Sequence, residues 1–195
     1  MKLLLKATFL FLIVTVVLGA ARAETPIDIE HSTIRIHVGK AGLFSAAGHE
    51  HWVDAPISGG SLQENPPQIS FRVEAAKMKV EEDQSLSADK QAEVQRTMQT
   101  QVLESDKYQE ISFRSTSIQA TAPNAWEVKG DLSLHGQTHS VSAKVQQEER
   151  KYIGRCQIEQ TDFGIKPIRV AGGTVKVKDE LDIEFSIVPT AANAH

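Results

Sequence analysis

The sequence predicts an all-β fold, an antiparallel sandwich or barrel carrying one accessory helix. Three observations carry that prediction. Apolar residues recur with a period of two in segment after segment, a single polar helical stretch interrupts them, and turn residues separate the runs. Strands that each bury one face need a second layer or closure on themselves, and closure also removes exposed edges.

The chain opens with Lys2 and Lys6, runs apolar over residues 7–21, and reaches Ala21-Arg22-Ala23 before Glu24. A charged start, a short apolar core and a small-x-small site predict a secretory signal over residues 1–23. The apolar run is short for a helix that must cross a hydrocarbon core of about 30 Å. The mature domain is expected over 24–189, with no membrane span after cleavage and a periplasmic or otherwise secreted location. No cysteine lies just after the cleavage site, which argues against a lipoprotein anchor.

The strands follow in order. Ile34, Ile36 and Val38 alternate with Arg35 and His37, and Ile69, Phe71 and Val73 alternate with Ser70 and Arg72. Ile111 and Phe113 begin another run. Leu181, Ile183, Phe185 and Ile187 close the fold, with Asp182, Glu184 and Ser186 on the other face. The pattern stops at Pro189, and a disordered tail is expected over 190–195.

A hairpin is predicted between Trp126 and Val145, with Gly136-Gln137 as a two-residue type II′ turn. That register sets Leu134 opposite His139, Leu132 opposite Val141 and Gly130 opposite Ala143, with Lys129, Asp131, Ser133, Ser142 and Lys144 on the polar face. A slip of one residue would bury the charges. The small pair at Gly130 and Ala143 leaves room for another group to approach the inner surface. The helix is predicted over residues 87–103, with Ser87 as its cap. Leu86, Val94, Met98 and Val102 form a narrow apolar stripe, which suits a helix lying across a barrel's side or mouth.

Without Lys2, Lys6 and Arg22 the mature chain carries 18 basic and 25 acidic residues, a formal charge of −7. That balance argues against nucleic acid or an anionic membrane as the main partner, since both require a positive footprint. Its 172 residues suit one domain. Cys156 is the sole cysteine, so no intramolecular disulfide forms, and between Gly154 and Ile158 it reads as a small packed residue. Gly48-His49-Glu50-His51-Trp52 places two imidazoles on one face of an extended segment. His49 and His51, with His139 or Glu50 as a third donor, are therefore candidate ligands for a divalent metal, whereas His135 should point the other way. Asp162-Phe163-Gly164 resembles a kinase triplet, but the chain lacks the glycine-rich loop and the catalytic His-Arg-Asp. Without a nucleophile-and-base constellation, an enzyme is not expected, and no cofactor is required.

Four segments together resemble the YceI family, exported bacterial proteins associated with polyisoprenoid or lipid binding. The first is Asp28-Ile29-Glu30-His31-Ser32-Thr33-Ile34, similar to the family's acidic-x-x-His-Ser strand. The second surrounds Lys107-Tyr108-Gln109-Glu110-Ile111-Ser112-Phe113, where Gln109 replaces a common proline. The third is Val128-Lys129-Gly130-Asp131-Leu132 through His139, and the fourth is Thr161-Asp162-Phe163-Gly164-Ile165, followed by Val177-Lys178-Asp179-Glu180-Leu181. The resemblance implies an extended lipocalin-like antiparallel β-barrel with an apolar tunnel and a helix near its opening. Two departures accompany it. The Gly42-Leu43-Phe44 segment continues into the His49–His51 cluster, and the helical region has only Asp89 and Arg96 in place of the family's Arg-Asp pair.

A tunnel for an isoprenoid, quinone or fatty acyl chain needs apolar walls, since each buried methylene contributes about 0.8 kcal/mol. The expected lining is Ile36, Val38, Phe71, Val73, Phe113, Leu132, Val141, Phe163, Leu181, Ile183 and Phe185. The expected function is a carrier of a hydrophobic small molecule, compatible with a homodimer. The alternatives are a periplasmic metal-binding protein and a ligand-free barrel whose core is filled by these same side chains.

Overall fold

The computed structural model describes residues 24–41, 50–65, 67–170 and 175–191. The expected signal, His49 and residues 192–195 lie outside them. The strands are β1 (Glu24–Pro26), β2 (Thr33–Ala41), β3 (His51–Asp54), β4 (Ile57–Glu64), β5 (Pro67–Glu74) and β6 (Lys79–Val80), then, after the helix, β7 (Glu110–Ala122) and β8 (Ala125–Leu134). They continue as β9 (Gln137–Glu148), β10 (Lys151–Glu159), β11 (Arg169–Val170) and β12 (Val175–Ile187).

All strands join one antiparallel sheet in the order β1-β4-β5-β7-β8-β9-β10-β12-β2-β3-β6, with β11 beside β12. The sheet curls until its flanks meet. Just beyond β1, Ile27 donates its amide to the Gly60 carbonyl at 3.0 Å and bridges to Pro189, while the Asp28 amide reaches the Val188 carbonyl at 2.8 Å. The Thr190 amide returns to the Pro26 carbonyl at 2.9 Å. This short segment therefore joins β4 to the end of β12. Ile27, Ile34, Ala55, Ile57 and Ile187 are buried there and form the dense part of the core.

The two-residue period places Ile36 opposite Ile183 and Ile34 opposite Phe185 on the inner face. The β8–β9 hairpin corrects the predicted register. Its turn residues are His135 and Gly136, with φ of 51° and 76°, so Leu134 faces Gln137, Leu132 faces His139, and Gly130 faces Val141. Two positive φ values make a type I′ turn, whose twist matches that of the flanking strands. The shift is two residues, which keeps every side chain on its predicted face.

The helix α1 (Ala88–Thr97) begins where expected, with Ser87 Oγ accepting from the Lys90 amide at 3.4 Å. It continues through a π-helical turn at Met98–Val102. None of its α-helical residues is fully buried, so it is held chiefly by another means. Gln91, Gln95 and Gln99 form one stripe at four-residue spacing and bond the backbone of the β6 edge. Gln95 accepts from the Val80 amide at 2.8 Å and donates to the Met78 carbonyl at 3.0 Å. Gln91 accepts from the Asp83 amide at 3.3 Å and donates to the Glu81 carbonyl at 2.8 Å, and Gln99 donates to the Ala75 carbonyl at 3.1 Å. Side-chain amides thus stand in for a neighbouring strand and cover the sheet edge.

Candidate functional site

The inner face of the barrel encloses a cavity of about 730 Å³. Ile36, Val38, Phe71, Val73, Phe113, Leu132, Val141, Leu181, Ile183 and Phe185 all line it, and Leu86, Val94, Met98 and Val102 cover it from the helix. Val38, Phe71, Phe113, Val141, Leu181, Ile183 and Phe185 face inward yet are only half-buried. Close-packed cores bury such residues fully. Their residual exposure is the local signature of a hollow interior, and it counts against the filled-barrel alternative.

Two glycines help to keep the space open. An ideal Cβ on Gly130 would stand 2.6 Å from Cε2 of Phe113, and one on Gly154 would stand 2.7 Å from Cε2 of Phe185. Both rings therefore lie along the wall, over backbone, instead of projecting across the lumen. Phe71 stacks on Phe113 with ring centroids 5.4 Å apart.

Phe163 is placed elsewhere. It ends the 3₁₀ turn Gln160–Phe163, is 1 % exposed, and does not line the cavity. The turn takes it off the alternating strand pattern, and its ring meets His139 edge-on at 5.1 Å. Gly164 follows at φ 71° and terminates the turn, while Asp179 anchors it by accepting from the Thr161 amide at 2.9 Å and from its hydroxyl at 2.6 Å. The Thr161 hydroxyl, and secondarily backbone amides, hold the Asp179 carboxyl below its ordinary value.

Of the candidate metal ligands, His49 lies outside the described residues, and His51 and His139 are not brought together. His51 lines the main cavity, and His139 lies in a separate polar surface recess. Glu50 lies 3.2 Å from His37 Nε2 through Oε2. Among the described residues no group of three His, Cys, Asp or Glu is arranged to hold a metal ion. His135, expected to point away, sits with Nε2 2.7 Å from Glu104 Oε2 and Nδ1 3.2 Å from the Phe163 carbonyl. It ties the end of the helical segment to the barrel rim.

Several lining residues escaped the sequence reading. Trp126 and Tyr152 line the cavity with ring centroids 5.9 Å apart. Trp126 and Val128 alternate with Glu127, the same period-two signal that marks the other lining residues. Cys156 also lines the cavity, where burial pushes its thiol up to about 11, so it is a neutral wall group at neutral pH. Among the described residues, the charged lining is Lys40, Lys90, Glu93 and Lys176. The arrangement can hold an elongated apolar body and offers few polar contacts to it.

Comparison with known proteins agrees with this geometry. A UPF0312 protein of Vibrio cholerae is 26 % identical over 197 residues, spanning 94 % of this chain and 98 % of its own. A UPF0312 protein of Vibrio parahaemolyticus is 26 % identical over 196 residues with the same coverage. A polyisoprenoid binding domain from Saccharophagus degradans, implicated in plant cell wall breakdown, superposes with a TM-score of 0.59 at 10 % identity, covering 88 % of this chain and 100 % of that one. BcnA of Burkholderia cenocepacia gives 0.55 at 18 % identity, covering 84 % and 99 %. These two likenesses establish the shared fold. A profile of the YceI-like domain matches residues 26–188, from β1 to just past β12 and including the helix, and the chain therefore belongs to the YceI-like family.

Proposed function

We propose that this protein is an exported carrier that sequesters a long-chain amphiphile, of the polyisoprenoid, quinone or fatty acyl class, inside its barrel. The observation that carries the reading is the apolar cavity whose inward-facing residues remain half-buried. Its volume of about 730 Å³ lies within the range of small-molecule pockets. Burying about ten methylenes there contributes roughly 8 kcal/mol before the ordering terms are subtracted. Such binding needs no reacting group, and the neutral Cys156 thiol supplies none. A YceI-like fold shared with a polyisoprenoid binding domain supports the ligand class. The charged start, apolar run and small-residue site of residues 1–23 support export. No helix among the described residues is long and apolar enough to cross a membrane.

A native mass spectrum of the mature protein, purified from the exported fraction, tests the reading. An added mass of several hundred daltons that extracts into organic solvent is the expected result. A bare protein that also fails to take up added hexadecanoic acid or farnesol would overturn it.

A further inference from the structure

We propose that the cavity receives a hydroxyl head, which donates a hydrogen bond to Oε1 of Gln160, and that the carrier therefore prefers a long-chain alcohol to the matching carboxylate. This rests on the carrier reading above and adds the chemical class of the head group.

Gln160 opens the 3₁₀ turn Gln160–Phe163, is 4 % exposed, and lines the cavity. Its Nε2 donates to the Lys178 carbonyl at 2.7 Å, and that bond fixes which end of the amide is nitrogen and which is oxygen. Among the described residues no donor reaches Oε1. The oxygen is nevertheless not one of the unpaired polar atoms enclosed on every side. Gln160 borders the cavity and not the polar recess beside it, so Oε1 faces the lumen.

The side chain is held in this position. The Gln160 backbone carbonyl accepts from the Ile165 amide at 3.1 Å, and the next residue, Thr161, is anchored to Asp179 through its amide at 2.9 Å and its hydroxyl at 2.6 Å. The neighbouring lining is apolar, with Ile158 two positions earlier, Leu181 opposite Ile158 on β12, and Ile165 at the end of that backbone bond. A buried carbonyl oxygen left without a donor is unfavourable, because it has given up its bond to water. A ligand hydroxyl restores that bond. An ionised carboxylate offers only acceptors and sets oxygen against oxygen. The head is thus selected by its donor, while the tail uses the apolar walls.

The mature, unaltered protein is offered hexadecanol together with hexadecyl methyl ether, and separately farnesol together with farnesyl methyl ether, with occupancy read by native mass spectrometry. Each ether keeps the chain and the oxygen but lacks the donor, and its added methyl favours burial. The alcohols are expected to bind at least about fivefold tighter than their ethers. Hexadecanoic acid, ionised at about pH 8, should bind more weakly than hexadecanol. Gln160→Met keeps the length of the side chain and removes the amide, and it should erase the preference by weakening the alcohols while leaving the ethers unchanged. The side-chain amide resonances of Gln160, assigned in the unaltered protein by triple-resonance NMR, should shift with alcohol and not with ether, which decides the question without any substitution. A preference held by the hexadecyl pair alone assigns the head to a fatty alcohol, and one held by the farnesyl pair alone assigns it to a prenyl alcohol. Equal binding of alcohol and ether, tighter binding of hexadecanoic acid, or a preference that survives Gln160→Met would overturn the proposal while leaving the carrier reading intact. Binding of none of these ligands removes the carrier reading itself.

Discussion

The ring of Phe113 occupies the space in which a side chain at Gly130 would begin, its Cε2 lying 2.6 Å from an ideal Cβ there. The two residues are not direct partners. Phe113 faces Leu132 and Gly130 faces Ser115, so the ring reaches diagonally across the β7–β8 pair. Phe185 does the same over Gly154, its direct partner on β10. Large aromatic residues therefore thicken the wall and leave the lumen clear.

Gly130→Ala should push the Phe113 ring toward the lumen. The expected effects are a loss of about 1–3 kcal/mol in stability, as for other overpacked sites, and weaker uptake of long-chain ligands. Urea unfolding and ligand titration check both. Adding Phe113→Ala should recover part of the binding, and an unchanged Gly130→Ala protein would show that the ring does not depend on the glycine.

Ile183→Trp separates a hollow barrel from a filled one. Ile183 faces Cys156 and Ile36 across the sheet and lines the cavity. In a filled core the larger side chain costs about 1–3 kcal/mol. In this cavity the expected cost is under about 1 kcal/mol, while ligand uptake falls about tenfold because the added ring takes the ligand's place. Thermal unfolding and native mass spectrometry read the two effects separately.

Gln95→Leu tests the glutamine stripe. It removes the acceptor of the Val80 amide and the donor to the Met78 carbonyl while keeping helix propensity. A loss of about 1–3 kcal/mol is expected, together with faster hydrogen exchange at the Val80 amide. Unaltered exchange there would mean that the edge is protected by something other than the helix.

Cys156 should react slowly with a maleimide at neutral pH, because burial pushes its thiol up to about 11. The rate should climb about tenfold per pH unit toward that value as the thiolate fraction grows. Bound ligand should slow it further, since the thiol lines the cavity. Labelling kinetics with and without ligand measure this, and a ligand-insensitive rate would place the cargo away from β10.

Asp179 contributes to acid sensitivity in a defined direction. Its folded carboxyl titrates below the ordinary 3.8, held chiefly by the Thr161 hydroxyl, so its stabilising effect is present above that value and is lost as pH falls through the folded one. Asp179→Asn lacks this titration. Its melting temperature should therefore drop less than that of the unaltered protein between about pH 5 and about pH 2.5. Parallel slopes would assign the acid loss to other carboxylates.

Much of the site was legible because strand alternation is a local property. Inward and outward faces follow from the pleat alone, so ten lining residues from Ile36 to Phe185 could be named without knowing which strands pair. Ser87 was readable for a similar reason, since a cap acts within one turn. Phe163 lies off the expected lining because the 3₁₀ turn Gln160–Phe163 takes the chain out of the two-residue period there. The glutamines at 91, 95 and 99 were visible as a spacing, but their partners lie on β6 and its flanks, and no local rule names a partner across that distance.

The sequence by itself determined that this is a β-protein with one capped, polar helix and one apolar face per strand, because these depend on neighbours two to four residues apart. The tertiary structure decided the rest. Whether the faces enclose a cavity or a solid core depends on how the curled sheet meets itself at Ile27 and Pro189 and on where the rings of Phe113 and Phe185 come to lie. The turn at His135 and Gly136 was settled by matching the twist of β8 and β9.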